Sequence, residues 1–398
     1  MSSYGEYARS LSSHWFCTYI MLCFIAKVKV PLVNDVASHT QEWYQDVSRT
    51  NFYTVDLPEL SKALQSWGEP YEQARVLARD IWRQAYLASA TDFAEMTGIP
   101  PGLRQRLAGA FTLTRPVELA QSTSRDGSTR KDLLALEDGA QIETVLLRYR
   151  DRYTVCVSTQ VGCACGCSFC ATGRMGFVRQ LHCSEIVAQV LHFQRWLAPQ
   201  DKTVSNVVFM GMGEPLLNRE QTLEAVQRLT DPRGLSLAPG RITLSTAGIA
   251  PGIEYLADVH HRWPIKLAIS LHAATNGLRT KLMPINKTFP LERLWEAVRV
   301  YTDKTRRRVL FEWLMIAGVN DTQEQALALV TWLQELPSHV NLIRLNPTSA
   351  YDGAPSTSEA TEAFSAILDQ HHVPHTMRQR RGAGINAGCG QLYARQRP

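Results

Sequence analysis

Residues 204–210 (Val-Ser-Asn-Val-Val-Phe-Met) and 241–246 (Arg-Ile-Thr-Leu-Ser-Thr) are two short β-branched segments separated by an amphipathic stretch. This change of hydrophobic period from strand to helix and back is typical of a β-α-β unit. Four more segments of the same kind occur at residues 153–157, 265–271, 309–316 and 340–345. A closed TIM barrel needs about eight such units, so the sequence predicts an α/β fold with a partial (β/α)6 TIM-like barrel. In such barrels the chemistry lies at the carboxyl ends of the strands.

The rest of the 398-residue chain divides by its sequence pattern. Residues 151–398 contain the barrel segments, and the turns and strand-like runs of residues 116–150 predict a β-rich connection. In residues 54–115 apolar side chains recur every three or four positions, which predicts a small N-terminal helical domain. Its apolar face includes Ala74, Leu77, Ala78, Ile81 and Trp82. Residues 1–53 form an extension of unknown role.

Composition and charge permit an anionic partner without requiring one. Hydrophobic residues make up 45% of the chain and charged residues 20%, with a formal net charge of +5, which is ordinary for a globular enzyme. Basic clusters at residues 148–150, 304–308 and 378–381 could contact a phosphate backbone. Each cluster taken alone is equally compatible with a solvated charged face.

The N-terminal region lacks a convincing export signal. Residues 15–26 are apolar, but about a dozen residues are too few to span a bilayer, and no clear cleavage-site pattern follows them. Cysteines crowd between residues 163 and 170, a spacing that favours metal binding over disulfides. We therefore expect a cytoplasmic protein without membrane association.

The cysteine-rich segment follows the first barrel strand and reads Gly-Cys-Ala-Cys-Gly-Cys-Ser-Phe-Cys at residues 162–170. The spacing Cys163-x3-Cys167-x2-Cys170 supplies three thiolates on one tight loop. Three thiolates can hold three irons of a [4Fe-4S] cluster and leave the fourth iron open for an external ligand. An electron-transfer cluster or a structural zinc would use a fourth protein ligand, and Cys165 lies where it could supply one.

Several separate motifs follow one another in a characteristic order. They are the segments 156–163 and 169–173, Gly-Met-Gly-Glu-Pro-Leu at 211–216, Leu-Ser-Thr-Ala-Gly at 244–248, Ser-Leu-His at 270–272, Leu-Met-Pro-Ile-Asn at 282–286 and Ala-Gly-Cys-Gly-Gln-Leu at 387–392. From about residue 57 to residue 395, the chain closely resembles the RlmN/Cfr family of radical S-adenosylmethionine (SAM) methyltransferases.

The resemblance implies two cofactors, one [4Fe-4S] cluster per chain and SAM. Cys163, Cys167 and Cys170 would bind the cluster. Gly213 would allow SAM to approach the backbone closely, and Glu214 would accept a hydrogen bond from its amino group. The other residues expected to bind SAM follow later strands: Ser245, Ser270, Leu271, His272 and Asn346.

The resemblance also implies a radical mechanism. An aromatic C–H carbon of adenine is too poor a nucleophile to attack the SAM methyl group directly at neutral pH. In the family, a deoxyadenosyl radical activates a methyl group carried by a cysteine, here Cys389. Cys156 then attacks Cys389, which releases the product and leaves a disulfide, and Glu143 accepts the proton. Without the resemblance, Cys156 could be a buried core thiol and Glu143 a solvated strand residue.

The substrate implied by the resemblance is an adenine in the peptidyl-transferase region of 23S rRNA. RlmN-type members methylate C2 and can also act on tRNA, whereas Cfr-type members methylate C8 and confer antibiotic resistance. Residues 170–173, 229–232 and 340–344 resemble the Cfr side. We favour C2 because housekeeping enzymes are the commoner kind. We also expect the helical domain to bind RNA. We further expect a low-potential electron donor such as flavodoxin as a partner, and we expect the protein to be a monomer.

Two other classes of function remain compatible with parts of the sequence. One is a non-catalytic RNA-binding protein that keeps a structural metal, and the other is a radical SAM enzyme that acts on a peptide or metabolite. The presence of both Cys156 and Cys389 favours the RNA methyltransferase over the first.

Overall fold

A sheet of ten strands is the framework of the protein. The computed structural model describes residues 49–87, 90–113, 115–348 and 351–394, so most of the extension expected at residues 1–53 lies outside the described residues. The strands in the described residues are β1 (Thr50–Asn51), β2 (Phe111–Thr112), β3 (Val117–Thr123), β4 (Thr129–Ala135), β5 (Gln141–Arg148), β6 (Tyr153–Cys156), β7 (Gln160–Gly162), β8 (Phe177–Gln180), β9 (Asn206–Phe209), β10 (Ile242–Thr246), β11 (Lys266–Ser270), β12 (Val309–Met315), β13 (Ser338–Arg344) and β14 (His375–Met377).

Helices precede the sheet and alternate with its later strands. They are α1 (Leu57–Ser66), α2 (Tyr71–Tyr86), α3 (Pro101–Ala110), α4 (Ala171–Arg174), α5 (Cys183–Leu197), α6 (Arg219–Thr230), α7 (Ala250–Asp258), α8 (Asn276–Leu282), α9 (Leu291–Thr305), α10 (Gln323–Leu333) and α11 (Ser358–Gln370). Local sequence explains where α1 begins, because the Asp56 side chain accepts the N–H of Glu59 and Glu59 accepts the N–H of Asp56. None of the helices within the described ranges has the length and hydrophobicity that crossing a membrane requires.

The parallel part of the sheet runs in the order β6-β9-β10-β11-β12-β13-β14. The six predicted barrel strands all occur in it, which confirms the partial TIM-like barrel. The seventh strand, β14, was not predicted, because three residues are too few to show a hydrophobic period. It places the basic segment 378–381 directly at the end of a barrel strand.

An antiparallel extension continues the barrel sheet beyond β6. β5 pairs with β6, β4 with β5 and β3 with β4, so residues 116–150 form part of the same sheet rather than only a connection. Val145 pairs opposite Cys156. Glu143 of β5 therefore lies beside Ser158, just after the first barrel strand ends, and its carbonyl accepts the hydroxyl of Ser158 at 2.7 Å.

Two aromatic clusters fix the helices on the sheet. Trp295 of α9 stacks on Phe311 of β12 with ring centroids 5.5 Å apart. Burying a side chain of this kind stabilises the fold by roughly 1.5–3 kcal/mol. In the predicted helical segment, Trp82 of α2 stacks on Tyr86 at 4.8 Å. The guanidinium of Arg228 on α6 lies 5.6 Å from the Trp82 ring, so α2 packs directly against the barrel helices.

Parallel strands give the barrel two distinct edges. Residues that follow strands, such as the loop after β9 and the segment 378–381, lie at the carboxyl edge. The basic cluster at residues 304–308 immediately precedes β12 and therefore lies at the opposite, amino edge. The two basic clusters that look alike in the sequence are thus at opposite ends of the barrel.

Candidate active site

The cysteine loop is folded by close backbone contacts. Gly162 has a φ of +75°, and a Cβ there would lie 1.9 Å from the carbonyl oxygen of Gly176. A Cβ on Gly173 would lie 2.9 Å from the backbone nitrogen of Cys167. The N–H of Cys170 donates to the carbonyl of Cys167 at 3.2 Å. Only glycine fits these contacts without displacement, so the sequence itself imposes a tight loop.

Three cysteine thiols of this loop line one cavity. Cys163, Cys167 and Cys170 all contribute to its wall. Burial raises the pKa of the Cys167 and Cys170 thiols, and neighbouring cysteines raise each pKa further because the thiols are close together. Cys165 also lines the cavity and donates a hydrogen bond to Cys163, which lowers the pKa of Cys163 and raises that of Cys165. Several soft sulfur ligands that converge on one space fit an iron–sulfur cluster.

The loop after β9 forms the next part of the cavity wall. Gly213 has a φ of +101°, and a Cβ there would lie 2.6 Å from the backbone nitrogen of Gln160. The buried carboxylate of Glu214 accepts the N–H of Leu216 at 3.0 Å and that of Ala247 at 2.6 Å. Burial raises the pKa of Glu214 to about 7, although these hydrogen bonds oppose the shift. The two hydrogen bonds therefore fix the orientation of the carboxylate at the cavity wall, where it can accept a hydrogen bond from an amino group.

Ser245, Ser270 and His272 bring the ends of β10 and β11 to the same cavity. Nδ1 of His272 accepts the N–H of Leu314 at 3.0 Å. Burial, assisted by the charge of Arg279, lowers the pKa of His272 to about 3. The ring is therefore neutral, with its proton on Nε2.

Two of the expected SAM-binding residues do not line the cavity. Leu271 is fully buried in the core, its N–H donates to the carbonyl of Glu312 and its own carbonyl accepts from Arg279. Asn346 instead supports the C-terminal segment, because its Nδ2 donates to the carbonyl of Cys389 at 3.2 Å. Both residues adjoin residues of the cavity wall, Leu271 next to His272 and Asn346 at Cys389, and their role in SAM binding stays a prediction.

The C-terminal segment brings Cys389 to the cysteine loop. Cys389 lines the cavity and its side chain is exposed to solvent. The N–H of Ala171 donates to the carbonyl of Gly390 at 2.8 Å, and Oγ1 of Thr172 donates to that of Leu392 at 2.6 Å. The expected methyl-carrier cysteine and the expected cluster cysteines thus share one cavity.

Cys156 and Glu143 lie outside the cavity wall but close to the C-terminal segment. Burial, together with the nearby Cys389 thiol, raises the pKa of Cys156 to about 12. Cys156 and Cys389 are both free thiols. Glu143 accepts the N–H of Tyr393 at 2.8 Å and forms an ion pair with Lys131 at 2.6 Å. The structure therefore gathers the three expected catalytic residues around residues 389–393.

Comparison with known proteins agrees with this arrangement. Residues 157–330 match the model of the radical SAM superfamily. The chain is 48% identical to dual-specificity RNA methyltransferase RlmN 1 of Myxococcus xanthus, over 86% of this chain and 94% of that protein. It is 46% identical to the probable dual-specificity RNA methyltransferase RlmN of Chloroflexus aurantiacus, over 86% and 92%. The chain belongs to the RlmN family. The crystal structure of a radical SAM methyltransferase from Sphaerobacter thermophilus superposes with a TM-score of 0.82 at 43% identity, covering 86% of this chain and 99% of that one.

This RlmN-family cavity also contains a charged pair that the sequence did not predict. Glu312 of β12 and Arg378 both line it, and their side chains are 3.1 Å apart. Nδ2 of Asn341 donates to the second oxygen of Glu312 at 2.9 Å. Arg378 belongs to a basic cluster that could contact a phosphate backbone, but its guanidinium turns inward to Glu312. The sequence signal for this pair was Glu312 itself, an acidic residue inside the otherwise apolar segment 309–316.

A second missed residue, Arg279, organises the carboxyl edge of the barrel in this RlmN-family protein. Its fully buried guanidinium donates to the carbonyls of Ala247 at 2.6 Å and Ser270 at 3.3 Å, and to Oδ1 of Asn286 at 2.9 Å. Burial lowers its pKa to about 10. No carboxylate of the described residues forms a salt bridge with it. Arg279 therefore ties the ends of β10 and β11 to the Pro-Ile-Asn motif.

Proposed function

We propose that this chain transfers a methyl group from SAM to a ring carbon of adenine in the peptidyl-transferase region of 23S rRNA, at C2, and that tRNA is a further substrate. The observation that carries the proposal is the shared cavity of the cluster-type cysteine loop and Cys389. The family supports it, since the relatives in Myxococcus xanthus and Chloroflexus aurantiacus are named dual-specificity RNA methyltransferases.

Cys163, Cys167 and Cys170 would hold a [4Fe-4S] cluster, and the donor set fits one because the three thiols converge on the same space. When bound, the cluster supplies the electron that cleaves SAM. Gly213 leaves room for close approach, and Glu214 presents a fixed carboxylate to the SAM amino group. We further propose a low-potential electron donor such as flavodoxin, a monomer, and a cytoplasmic location.

Three other residues of the chain would act on the carried methyl group and the RNA. Cys389 carries the methyl carbon as a thioether and becomes linked through it to the adenine. Cys156 then attacks the Cys389 sulfur: an S–S bond forms, the C–S bond breaks, and the electron pair and a proton complete the product methyl group. Because burial raises the pKa of the Cys156 thiol to about 12, Cys156 must lose its proton as it attacks.

The choice of C2 over C8 follows the relatives named RlmN. Packing accounts for one residue of the three segments that resemble the Cfr side, and a second segment lies away from the cavity. Gly173 lies where a Cβ would meet the backbone of Cys167, and residues 229–232 end α6 away from the cavity wall. Residue types set by such contacts give no information about the carbon that is methylated.

The RNA-binding surface would follow the segment 378–381, which begins at the carboxyl end of β14. The guanidinium groups of Arg152 and Arg381 lie 4.2 Å and 4.5 Å from the Tyr149 ring centroid. Nε of Arg380 donates to Asn346, which in turn bonds to the Cys389 carbonyl. Positive charge next to the methyl carrier suits the phosphates that flank a target base. The helical segment around α1 to α3 would contact RNA farther from the site.

Mass spectrometry of the modified nucleoside tests this function. The chain would be expressed in a strain that lacks its own 23S rRNA adenine methyltransferase, and digested rRNA and tRNA would be compared with 2-methyladenosine and 8-methyladenosine standards. We expect 2-methyladenosine in both RNAs and none with Cys389→Ala. 8-Methyladenosine would overturn the assignment of C2, and unmodified adenine would overturn the function as a whole.

A further inference from the structure

A buried ion pair joins Lys131 to Glu143. Nζ of Lys131 lies 2.6 Å from Oε1 of Glu143, and the side chains are 14% and 6% exposed. In the pairing of β4 with β5, Lys131 stands opposite Val145, and Leu133 stands opposite Glu143. The two charged residues are therefore diagonal neighbours on one face of the sheet. The same face carries Cys156, which pairs opposite Val145.

The rest of the Glu143 environment is uncharged. Its second carboxylate oxygen accepts the N–H of Tyr393 at 2.8 Å, and its own N–H contacts Sδ of Met212 at 3.3 Å. Within the described ranges, Lys131 is the only charged side chain in contact with Glu143. The ionisation of Glu143 therefore depends on this one lysine.

Burial and Lys131 act on Glu143 in opposite directions. Burial raises the pKa of Glu143, and the hydrogen bond and positive charge of Lys131 oppose this rise. A carboxylate must be ionised before it can accept a proton. A buried carboxylate that loses its cation gains a proton instead, because the charged form is poorly solvated.

We propose that Lys131 is a positioning residue for methyl transfer, and that its ammonium group holds Glu143 ionised and oriented to take the proton from the adenine ring carbon. This inference rests on the proposed function. In the step, the ring C–H bond breaks, its electron pair stays in the ring, and the proton moves to a carboxylate oxygen of Glu143.

The test is the pH profile of RNA methylation by the cluster-loaded enzyme carrying Lys131→Met, Lys131→Arg or, as a matched control, Lys62→Met on the exposed side of α1. With Lys131→Met, the rising limb of the profile should move up by about one to three pH units, so activity lost at neutral pH returns at higher pH. Lys131→Arg and Lys62→Met should keep the wild-type profile. An unchanged profile in Lys131→Met, or a pH-independent loss that arginine does not rescue, would overturn the inference.

A second measurement does not depend on methylation. Difference infrared spectroscopy against Glu143→Gln should show the carboxyl band of a protonated Glu143 near neutral pH in Lys131→Met and not in the wild type. Absence of this band from the variant would refute the inference even if RNA is methylated. If Glu143→Gln methylates RNA at the wild-type rate, the proton-acceptor role fails while the methyltransferase stands. If the wild type methylates no adenine, the proposed function fails separately.

Discussion

His272 illustrates how burial sets the protonation state of a single residue in the cavity wall. The folded protein holds its pKa at about 3, against an ordinary value of 6.5. The folded state therefore binds this proton more weakly than the unfolded state does. It follows that the stability contributed by neutral His272 is present above pH 6.5 and is lost as the pH falls toward 3.

Replacing His272 with Asn tests the direction of this dependence of stability on pH. Asparagine keeps an acceptor for the N–H of Leu314 and tolerates the φ of +56° at this position, but it does not titrate. Below pH 6.5 the variant should therefore lose less stability than the wild type, by up to about 1.4 kcal/mol per pH unit. Urea unfolding at a series of pH values measures this difference. The exposed His371→Gln serves as control, and parallel curves for His272→Asn and the wild type would show that the histidine is not held neutral.

The Glu312–Arg378 pair gives a second prediction for single residues. Glu312→Gln leaves Arg378 without its carboxylate and should lower the free energy of unfolding by about 3–5 kcal/mol. Arg378 lowers the pKa of Cys389 whereas Glu312 raises it, so removing the acid should make the thiol ionise at lower pH. The rate of Cys389 alkylation against pH reports this. Glu335→Gln, at a surface pair, should change neither quantity, and unaltered Cys389 reactivity in Glu312→Gln would contradict the prediction.

At the scale of secondary-structure elements, the hydrophobic period predicted those strands that their own local sequence determines. The six longer barrel strands were predicted because their apolar runs contrast with amphipathic helices. Strand β14 was missed because its order comes from pairing with β13, as Val340 with His375, rather than from its own three residues. The inward course of Arg378 depends on that strand. The Lys131–Glu143 pair likewise depends on the register of two strands, which no spacing along the chain reveals.

The docking of the C-terminal segment on α4 makes a prediction at this scale. Thr172→Val removes the hydroxyl that donates to the carbonyl of Leu392 at 2.6 Å and keeps the shape of the side chain. We expect a loss of about 1 kcal/mol in stability and faster alkylation of Cys389, because the segment that carries it is held less firmly. Thr331→Val, which removes a comparable bond within α10, is the control. Equal alkylation rates in both variants would show that this bond does not hold the segment.

For the whole molecule, the parallel sheet determines which charged groups can reach the substrate. Motif order predicted the cysteine loop, Glu214 and Cys389, and all of them meet at the carboxyl edge of the barrel. The sequence could not show which basic cluster contacts RNA, because a run of arginines has the same composition at either edge of the barrel. Cluster 304–308 lies at the amino edge and is partly engaged within the protein, because Lys304 pairs with Asp258. The arginines near Tyr149 instead contact the segment 378–381, since Nη1 of Arg381 donates to the carbonyl of Arg148 at 3.0 Å.

This division predicts different effects of two matched double variants on RNA binding. Arg150→Ala combined with Arg152→Ala removes two exposed cations from the turn that contacts Arg381, whereas Arg307→Ala combined with Arg308→Ala removes two from the cluster before β12. Each lost phosphate contact should reduce the slope of log Kd against log salt concentration by about 1. We therefore expect the first variant to bind a 23S rRNA fragment at least about tenfold more weakly at low salt, with a slope smaller by about 2, and to approach the wild type at high salt. The second should match the wild type throughout a salt titration followed by fluorescence anisotropy. Equal losses in the two variants would mean that RNA binding depends on net charge alone, and a loss confined to the second would place the RNA at the cluster 304–308.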